Sequence, residues 1–384
     1  MTIYSNRPGQ TFDNLSVTSP KSRHSPQASA PSPQQSPYAF VTFLGSNVEN
    51  DNATATDDDD LYFVATRVLA YQLLHAPETA TNSSIPFFVL CPQDVSESKV
   101  HRLREDGAIV KIVANIHEDW AKPSNRRWRD VMTKLRLFEM TEFEKVLLLD
   151  ADMYISKRLD DVFTDNTTQP LLVNQELVVD DEGPLPKSYV FSAQTMALDR
   201  TLPYPNTPGD TMSAGFMVLQ PSVELFNHYM SILKIENRFE PSAPEQNLLN
   251  YAHRRDGPMP WTEITYTWTT TSPSMAHYKA GAASLHEKFW LLSTPMENEM
   301  RNLWFTARDD MYAYHKPSDH HQLSDSMAWC TAIMPAFLFD VEDPECPSLV
   351  EPSHIIRGHF LVFGYPLATR RKTETDSLTF RSRI

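Results

Sequence analysis

The chain has 384 residues, 41% hydrophobic and 22% charged. That is enough apolar material for a sizeable core, so a wholly disordered chain is excluded. Lys and Arg number 34 against 49 Asp and Glu, a formal net charge of −15, which does not suit the phosphate backbone of nucleic acid as a partner. The cysteines Cys91, Cys330 and Cys346 form no C-x-x-C pair. Zinc ribbons and disulfide scaffolds are therefore not expected, and the thiols read as reduced and structural.

Residues 1–37 are rich in Ser, Pro and Gln (SVTSPKSRHSPQASAPSPQQSP). They hold too little apolar surface to offset the entropy of ordering and predict a disordered tail. The opening MTIYSNRPGQ has no apolar h-region, and no stretch approaches the ~18 apolar residues of a membrane span. Neither a secretory signal nor a transmembrane segment is expected, and a cytoplasmic location is. The sequons at Asn14, Asn52, Asn82 and Asn166 are then not expected to carry glycan.

YAFVTFL (38–44) is rich in β-formers and predicts a buried strand. The polar stretch that follows ends in four aspartates, Asp57 to Asp60. Consecutive carboxylates cannot all face one ion, whereas Asp at a helix start complements the dipole. The expected helix is 60–75, with Leu61, Val64, Val68, Tyr71 and Leu74 on one face. IPFFVLC (85–91) predicts a strand and SESKVHRLREDG (96–107) a helix, with Gly107 near its C-cap. AIVKIV (108–113) predicts a third strand, RDVMTKLRLFEMT (129–141) a helix, and KVLLLDAD (145–152) a fourth strand. Alternating strands and helices argue for parallel pairing covered by helices. Further on, TMSAGFMVLQP (211–221) reads as a strand, and SVELFNHYMSILK (222–234) and PEQNLLNYAHRR (244–255) as helices, the latter with Pro in its first turn. SLHEKFW (284–290) is short and mixed, and residues 291–384 show little periodicity.

The sharpest chemical signal is LLLDAD. An apolar run delivers Asp150 and Asp152 where a parallel strand ends, the place at which open α/β sheets bind ligands. Two carboxylates at i and i+2 can reach one divalent ion of the Mg2+ or Mn2+ type, although a bare D-x-D is also an ordinary polar loop. His286 and Lys288 lie together between apolar residues. They read either as a metal ligand and a phosphate-binding charge or as surface residues. Glu245 and Gln246 open a helix and face either a cleft or solvent, and Lys134 alone reads as a helix lysine.

Taken together and in order, these segments resemble glycosyltransferase family 8, the glycogenin and galactinol synthase group. YAFVTFL is similar to the family's opening strand. The stretch from VMTKLRLFEM through VLLLDADMYISKRLDDVF resembles its core, a T-K-L helix before the D-x-D strand with an L-D-D-L-F-like tail. MSAGFMVLQPS resembles F-N-S-G-x-x-x-x-x-P-S, PEQNLLN resembles D-Q-x-x-L-N, and LHEKFW resembles the terminal H…K-P-W. The likeness covers about residues 38–290. It implies a GT-A-type, Rossmann-like mixed sheet flanked by helices, in an α/β chain with a disordered tail before it and an appendage at 291–384 after it.

The resemblance also implies the chemistry. The chain would be a retaining, metal-dependent transferase moving a hexose from a UDP-sugar to an unidentified hydroxyl acceptor, with Mn2+ or Mg2+ as cofactor. Asp150, Asp152 and His286 would hold the metal. Thr42, Asp150, Ala151, Asp152, Ala214, Gly215 and Lys288 would contact the donor, Lys134 would help hold its phosphate or sugar, and Gln246, beside Glu245, would sit near the anomeric carbon. The chain departs from the family at Ser213-Ala214, where the family has Asn-Ser, and at Glu245, where it has Asp. The terminal motif is also compressed, so His286 matches more firmly than Lys288. The competing expectations are a catalytically inactive binding or scaffold protein on the same fold, and a nucleotidyltransferase. The second is disfavoured because no Gly-rich loop follows the first strand. Oligomeric state is not legible.

Overall fold

The computed structural model describes residues 36–46, 56–196 and 209–316. Most of the expected N-terminal tail, Cys330, Cys346 and residues 317–384 lie outside them. In chain order the elements are β1 (Tyr38–Phe43), α1 (Leu61–Leu74), β2 (Phe87–Pro92), α2 (Glu97–Glu105), β3 (Ile109–Val113), a 3-10 segment (Val131–Glu139), β4 (Lys145–Leu149), β5 (Met153–Ile155), β6 (Leu171–Leu172), β7 (Ser188–Tyr189), β8 (Phe191–Thr195), β9 (Met212–Leu219), α3 (Val223–Leu233), α4 (Pro244–Ala252), β10 (Thr262–Glu263), β11 (Thr270–Thr271), α5 (Met275–Lys279), β12 (Ser284–His286) and α6 (Asn298–Tyr314).

Seven strands form one sheet in the order β10-β8-β9-β4-β1-β2-β3. The first half of the chain is parallel, with β1 between β2 and β4, as the alternating pattern predicts. β9 then runs antiparallel to both β4 and β8, which makes the sheet mixed. β4 is central and its Val146–Leu149 run is fully buried, the near-continuous apolar signature of a strand covered on both faces. A small second sheet, β11-β12-β5, stands at the exit of β4.

α1 begins where the aspartate run predicts. Asp60 is its N-cap, accepting from the Tyr62 and Phe63 amides, and Lys99 donates to its other oxygen at 2.6 Å. The single apolar face expected for α1 is corrected by its surroundings. Phe63, Leu69, Ala70 and Leu73 join the core cluster that includes β1, β2 and β4 residues, while Val64, Ala65 and Val68 pack against Met300, Trp304, Ala307 and Met311 of α6. A helix covered on two sides has no polar stripe to read. Leu61 of the expected face is 44% exposed instead. α6 corrects the reading of 291–384 as a stretch of little periodicity, because Met300, Trp304, Ala307 and Met311 recur at helical spacing and are buried against α1.

The helix expected at 129–141 is wound as a 3-10 segment. Residues 131–135 are all buried, wedged among β1, β2, α3 and α4. Packing on several sides overrides the amphipathic winding that the sequence suggested. α2 ends as expected, with Gly107 at φ +95° just beyond its cap.

α4 is locked to its neighbours by His253, which is fully buried. Its Nδ1 donates to the Met259 carbonyl at 2.7 Å and Tyr229 of α3 donates to Nε2 at 2.6 Å. Its ring stacks on Phe191. A carbonyl only accepts, so Nδ1 carries a proton, and burial keeps the ring neutral with Nε2 as acceptor. Burial pushes its pKa down to about 3. Unfolding therefore takes up a proton below the ordinary histidine pKa, and stability falls as pH drops from about 6.5 toward 3. Denaturant unfolding should show His253→Gln losing about 2 kcal/mol less than the wild type between pH 7 and pH 5. Equal pH slopes in the two proteins would contradict a neutral buried His253.

Candidate active site

The turn after β4 carries Asp150 and Asp152. Its geometry is set by three backbone contacts. Thr42 donates to the Leu149 carbonyl at 2.6 Å, the Asp150 amide donates to the Gly215 carbonyl at 2.8 Å, and the Glu287 amide donates to the Asp152 carbonyl at 3.0 Å. β5 follows at once and pairs antiparallel with β12, with His286 opposite Met153. This register brings a residue 134 positions away in sequence against Asp152.

The side chains then divide neatly. Asp150 Oδ1 accepts from Lys134 Nζ at 2.6 Å, while its Oδ2 lies 3.8 Å from His286 Nε2. Asp152 Oδ2 lies 3.1 Å from Lys288 Nζ, while its Oδ1 lies 3.0 Å from His286 Nε2. Each carboxylate gives one oxygen to a lysine and turns the other toward the imidazole. One donor atom from each of Asp150, Asp152 and His286 lies within 4.8 Å of the others. This hard oxygen set with a single imidazole fits a divalent ion of the Mn2+ or Mg2+ type.

The electrostatics follow from the packing. Burial opposes ionisation of Asp152, and Lys288 and His286 outweigh it, holding the carboxyl well below the usual range. Burial likewise opposes the charge on Lys134, and Asp150 and Glu245 override it, raising the ammonium pKa. Asp152 raises that of Lys288.

Lys134 reaches a second carboxylate, Glu245 Oε1, at 3.0 Å. Gln246 accepts from the Ala214 amide through Oε1 at 3.1 Å. The N-terminus of α4 is thus joined to both the 3-10 segment and β9.

These groups share a cavity of about 530 Å3. Of the sequence-derived set, Lys134, Asp150, Ala151, Asp152, Glu245, Gln246, His286 and Lys288 line it. Thr42, Ala214 and Gly215 do not. Thr42 is spent on bracing β4, and its neighbours Phe43, Leu44, Gly45 and Ser46 line the cavity in its place. Ser213 lines it where Ala214 was expected. Sequence reasoning missed Tyr62, Arg127, Trp128, Met196 and Trp290. Trp290 closes the LHEKFW motif but was given no role there, the others stand in no motif, and cavity aromatics have the same sequence signature as core ones.

Gly215 has a steric role. A Cβ there would lie 2.2 Å from His286 Cε1 and 3.1 Å from Asp150 Oδ2. His286 occupies the space that any side chain on β9 would fill.

No family model matches the chain. Over 293 residues it is 30% identical to an uncharacterized protein of Schizosaccharomyces pombe, covering 68% of this chain and 76% of that one. Over 244 residues it is 25% identical to galactinol synthase 1 of Solanum lycopersicum, covering 60% of this chain and 64% of that one. Among solved structures, the galactosyltransferase LgtC in complex with donor and acceptor sugar analogs aligns with 71% of this chain and 95% of its own, at 15% identity and a TM-score of 0.45. The chain belongs to glycosyltransferase family 8. Its class is glycosyltransferase, and its seven-stranded sheet is mixed. No helix among the described residues is long and apolar enough to cross a membrane.

Gly215→Ala should displace His286 and weaken Mn2+ binding by roughly ten- to a hundredfold, the usual scale for disturbing a ligand's support. Calorimetric titration with Mn2+ alone, beside a far-ultraviolet spectrum matching the wild type, checks this. Unchanged affinity would mean that His286 is not a ligand.

Proposed function

We propose that the chain transfers a hexose from a UDP-sugar to a hydroxyl acceptor with retention of anomeric configuration, using a divalent ion held by Asp150, Asp152 and His286. The observation that carries this reading is the convergence of those three side chains in a cavity that also contains two paired lysines. When bound, the ion supplies neutralisation of the donor's diphosphate.

Lys288 would stand at the departing phosphate. Its side chain is 37% exposed and has room to exchange Asp152 for a phosphate oxygen. Lys134, Glu245 and Gln246 would position the sugar. Ser213, in the place of the family's Asn, would offer a hydroxyl to the same ring. Glu245 is 7% exposed and bonded to Lys134, a poor starting state for a covalent nucleophile. The simpler route is attack by the acceptor oxygen on the face the diphosphate leaves. The acceptor's proton passes to the departing phosphate oxygen, and developing charge meets groups already in place. We also propose a transferase domain over residues 38–290, with α6 of the segment after it packed against its α1.

Two features favour this over an inactive scaffold of the same fold. The ligand set is complete, and its lysine partners are in contact with it. Calorimetry of UDP with and without Mn2+ provides the test. Wild-type protein should bind UDP in a metal-dependent manner. Asp152→Asn should lose that dependence, and with it at least about 100-fold of transferase activity, the scale of removing one group that stabilises transition-state charge. Failure of UDP to bind under either condition would instead support the scaffold reading.

A further inference from the structure

Lys288 and Trp290 line the cavity from the turn after β12. His286 is held by strand register, but these two lie beyond it, where no ladder fixes the backbone. Short-range bonds close the turn instead. The Phe289 amide donates to the Glu287 carbonyl and the Leu291 amide to the Lys288 carbonyl, each at 3.0 Å. The motif that LHEKFW resembles has Pro after its Lys, where this chain has Phe289, so the stiffness of a fixed φ is absent here.

Arg301 of α6 supplies stiffness in another way. It is buried, and its guanidinium spans the turn. Nη1 donates to the Phe289 carbonyl and, at 2.9 Å, to that of Leu291, and Nη2 donates to the Thr294 carbonyl at 3.1 Å. A buried guanidinium is costly unless its donors are satisfied, and its planar fork suits several acceptors held at fixed angles. Phe289, between the two cavity residues, is fully buried in the same cluster as Met300 and Trp304 of α6. Trp304 also packs on Trp290, with ring centroids 5.2 Å apart, and Trp290 meets the Tyr62 ring edge-on at 5.3 Å. α6 thereby holds both the backbone of the turn and its outer ring.

We propose that Arg301 is a positioning residue for donor binding, fixing the turn so that the Lys288 ammonium stands ready for the diphosphate. This rests on the donor-site reading above. It also makes α6, which lies beyond the segment that carries the family likeness, part of the working site. The Lys288 side chain is flexible, and a turn free to move beneath it would lose binding energy to ordering both. With the carbonyls of Phe289, Leu291 and Thr294 tied to one fork, the backbone is ordered on folding. Losing the fork lowers affinity for the diphosphate and leaves His286 in its strand register.

Calorimetry on the full chain measures Mn2+ alone, and UDP in the presence of Mn2+, in wild type, Arg301→Met, Lys288→Ala and the double variant. Arg301→Met should weaken UDP binding roughly tenfold, the scale of one lost charge-assisted hydrogen bond. Mn2+ alone should bind it at least as tightly as it binds the wild type. In the Lys288→Ala background, Arg301→Met should cost less than about twofold more, because the two residues act through one contact. Equal losses in the two backgrounds would overturn the proposal, as would UDP affinity that Arg301→Met leaves unchanged. So would loss of Mn2+ and UDP binding together, which marks general damage to the site. If Arg301→Met fails to fold, the milder Arg301→Lys, which keeps the charge and loses the planar fork, replaces it in the same cycle. If neither folds, hydrogen exchange in the wild type decides. The Leu291 and Thr294 amides should be protected before UDP is added, and rapid exchange there would contradict the proposal. A wild type that binds no UDP would remove the donor-site reading and this inference with it. That result is distinct from a wild type that binds UDP and an Arg301→Met that matches it.

Discussion

The site depends on keeping two carboxylates charged side by side at the end of a buried strand. Asp150 and Asp152 share one turn, Asp152 is almost wholly buried, and like charges so placed would drive one of them to take up a proton. Lys134, Lys288 and His286 prevent it. Lys134 comes from the 3-10 segment before β4, and His286 and Lys288 come from β12 and the turn after it. Each aspartate meets its lysine with one oxygen and the imidazole with the other. The compensating charges therefore hold Asp152 ionised, and one oxygen of each carboxylate is aimed at a common point.

Much of the fold serves to bring these distant segments to that one strand end. The mixed topology matters here. Because β9 runs antiparallel to β4, Gly215 lies beside Asp150 and gives His286 room. Because β5 turns back to pair with β12, His286 is set against the aspartates by backbone register rather than by side-chain reach. Gln72 of α1 bonds both the amide and the carbonyl of Ile155, tying β5 to the helix layer. His253 and Tyr229 do the same for α4, which carries Glu245 and Gln246. The site is built from rigid elements at its base, which suits a reaction whose charge must be met by groups already in position.

The legible parts of this chain were those where local pattern and tertiary role coincide. The apolar run into Asp150 and Asp152 is both a strand signal and the site itself. The Asp57–Asp60 run announces a helix start, and Asp60 caps it. Motif order then gathered Lys134, Glu245, Gln246, His286 and Lys288, residues that are ordinary one at a time. What stayed hidden depended on neighbours. α1 has no clean stripe because α6 covers its second side. The Lys134 segment is a 3-10 turn because it is buried on several faces. Thr42 was expected to meet a ligand, but its hydroxyl goes to the Leu149 carbonyl. A strand's alternation says which face a residue takes without saying what waits there. Tyr62 and Trp128 gave no signal because an aromatic that lines a cavity looks like a core aromatic in sequence.

The two lysines show how the same residue type can do opposite work a few ångströms apart. Lys134 is enclosed, with two carboxylate partners, and removing it would leave Asp150 and Glu245 facing each other in a buried site, a costly arrangement. Lys288 has one aspartate partner and stays partly open to solvent, so its ammonium can be shared with an incoming anion at little desolvation cost. Sequence position does not distinguish them, and both read as a lysine near apolar residues. Burial and partner number do. They make one lysine part of the frame and leave the other available for binding. On the proposed reading, that difference gives the cavity its direction, with phosphate toward the open cation and sugar toward the closed one.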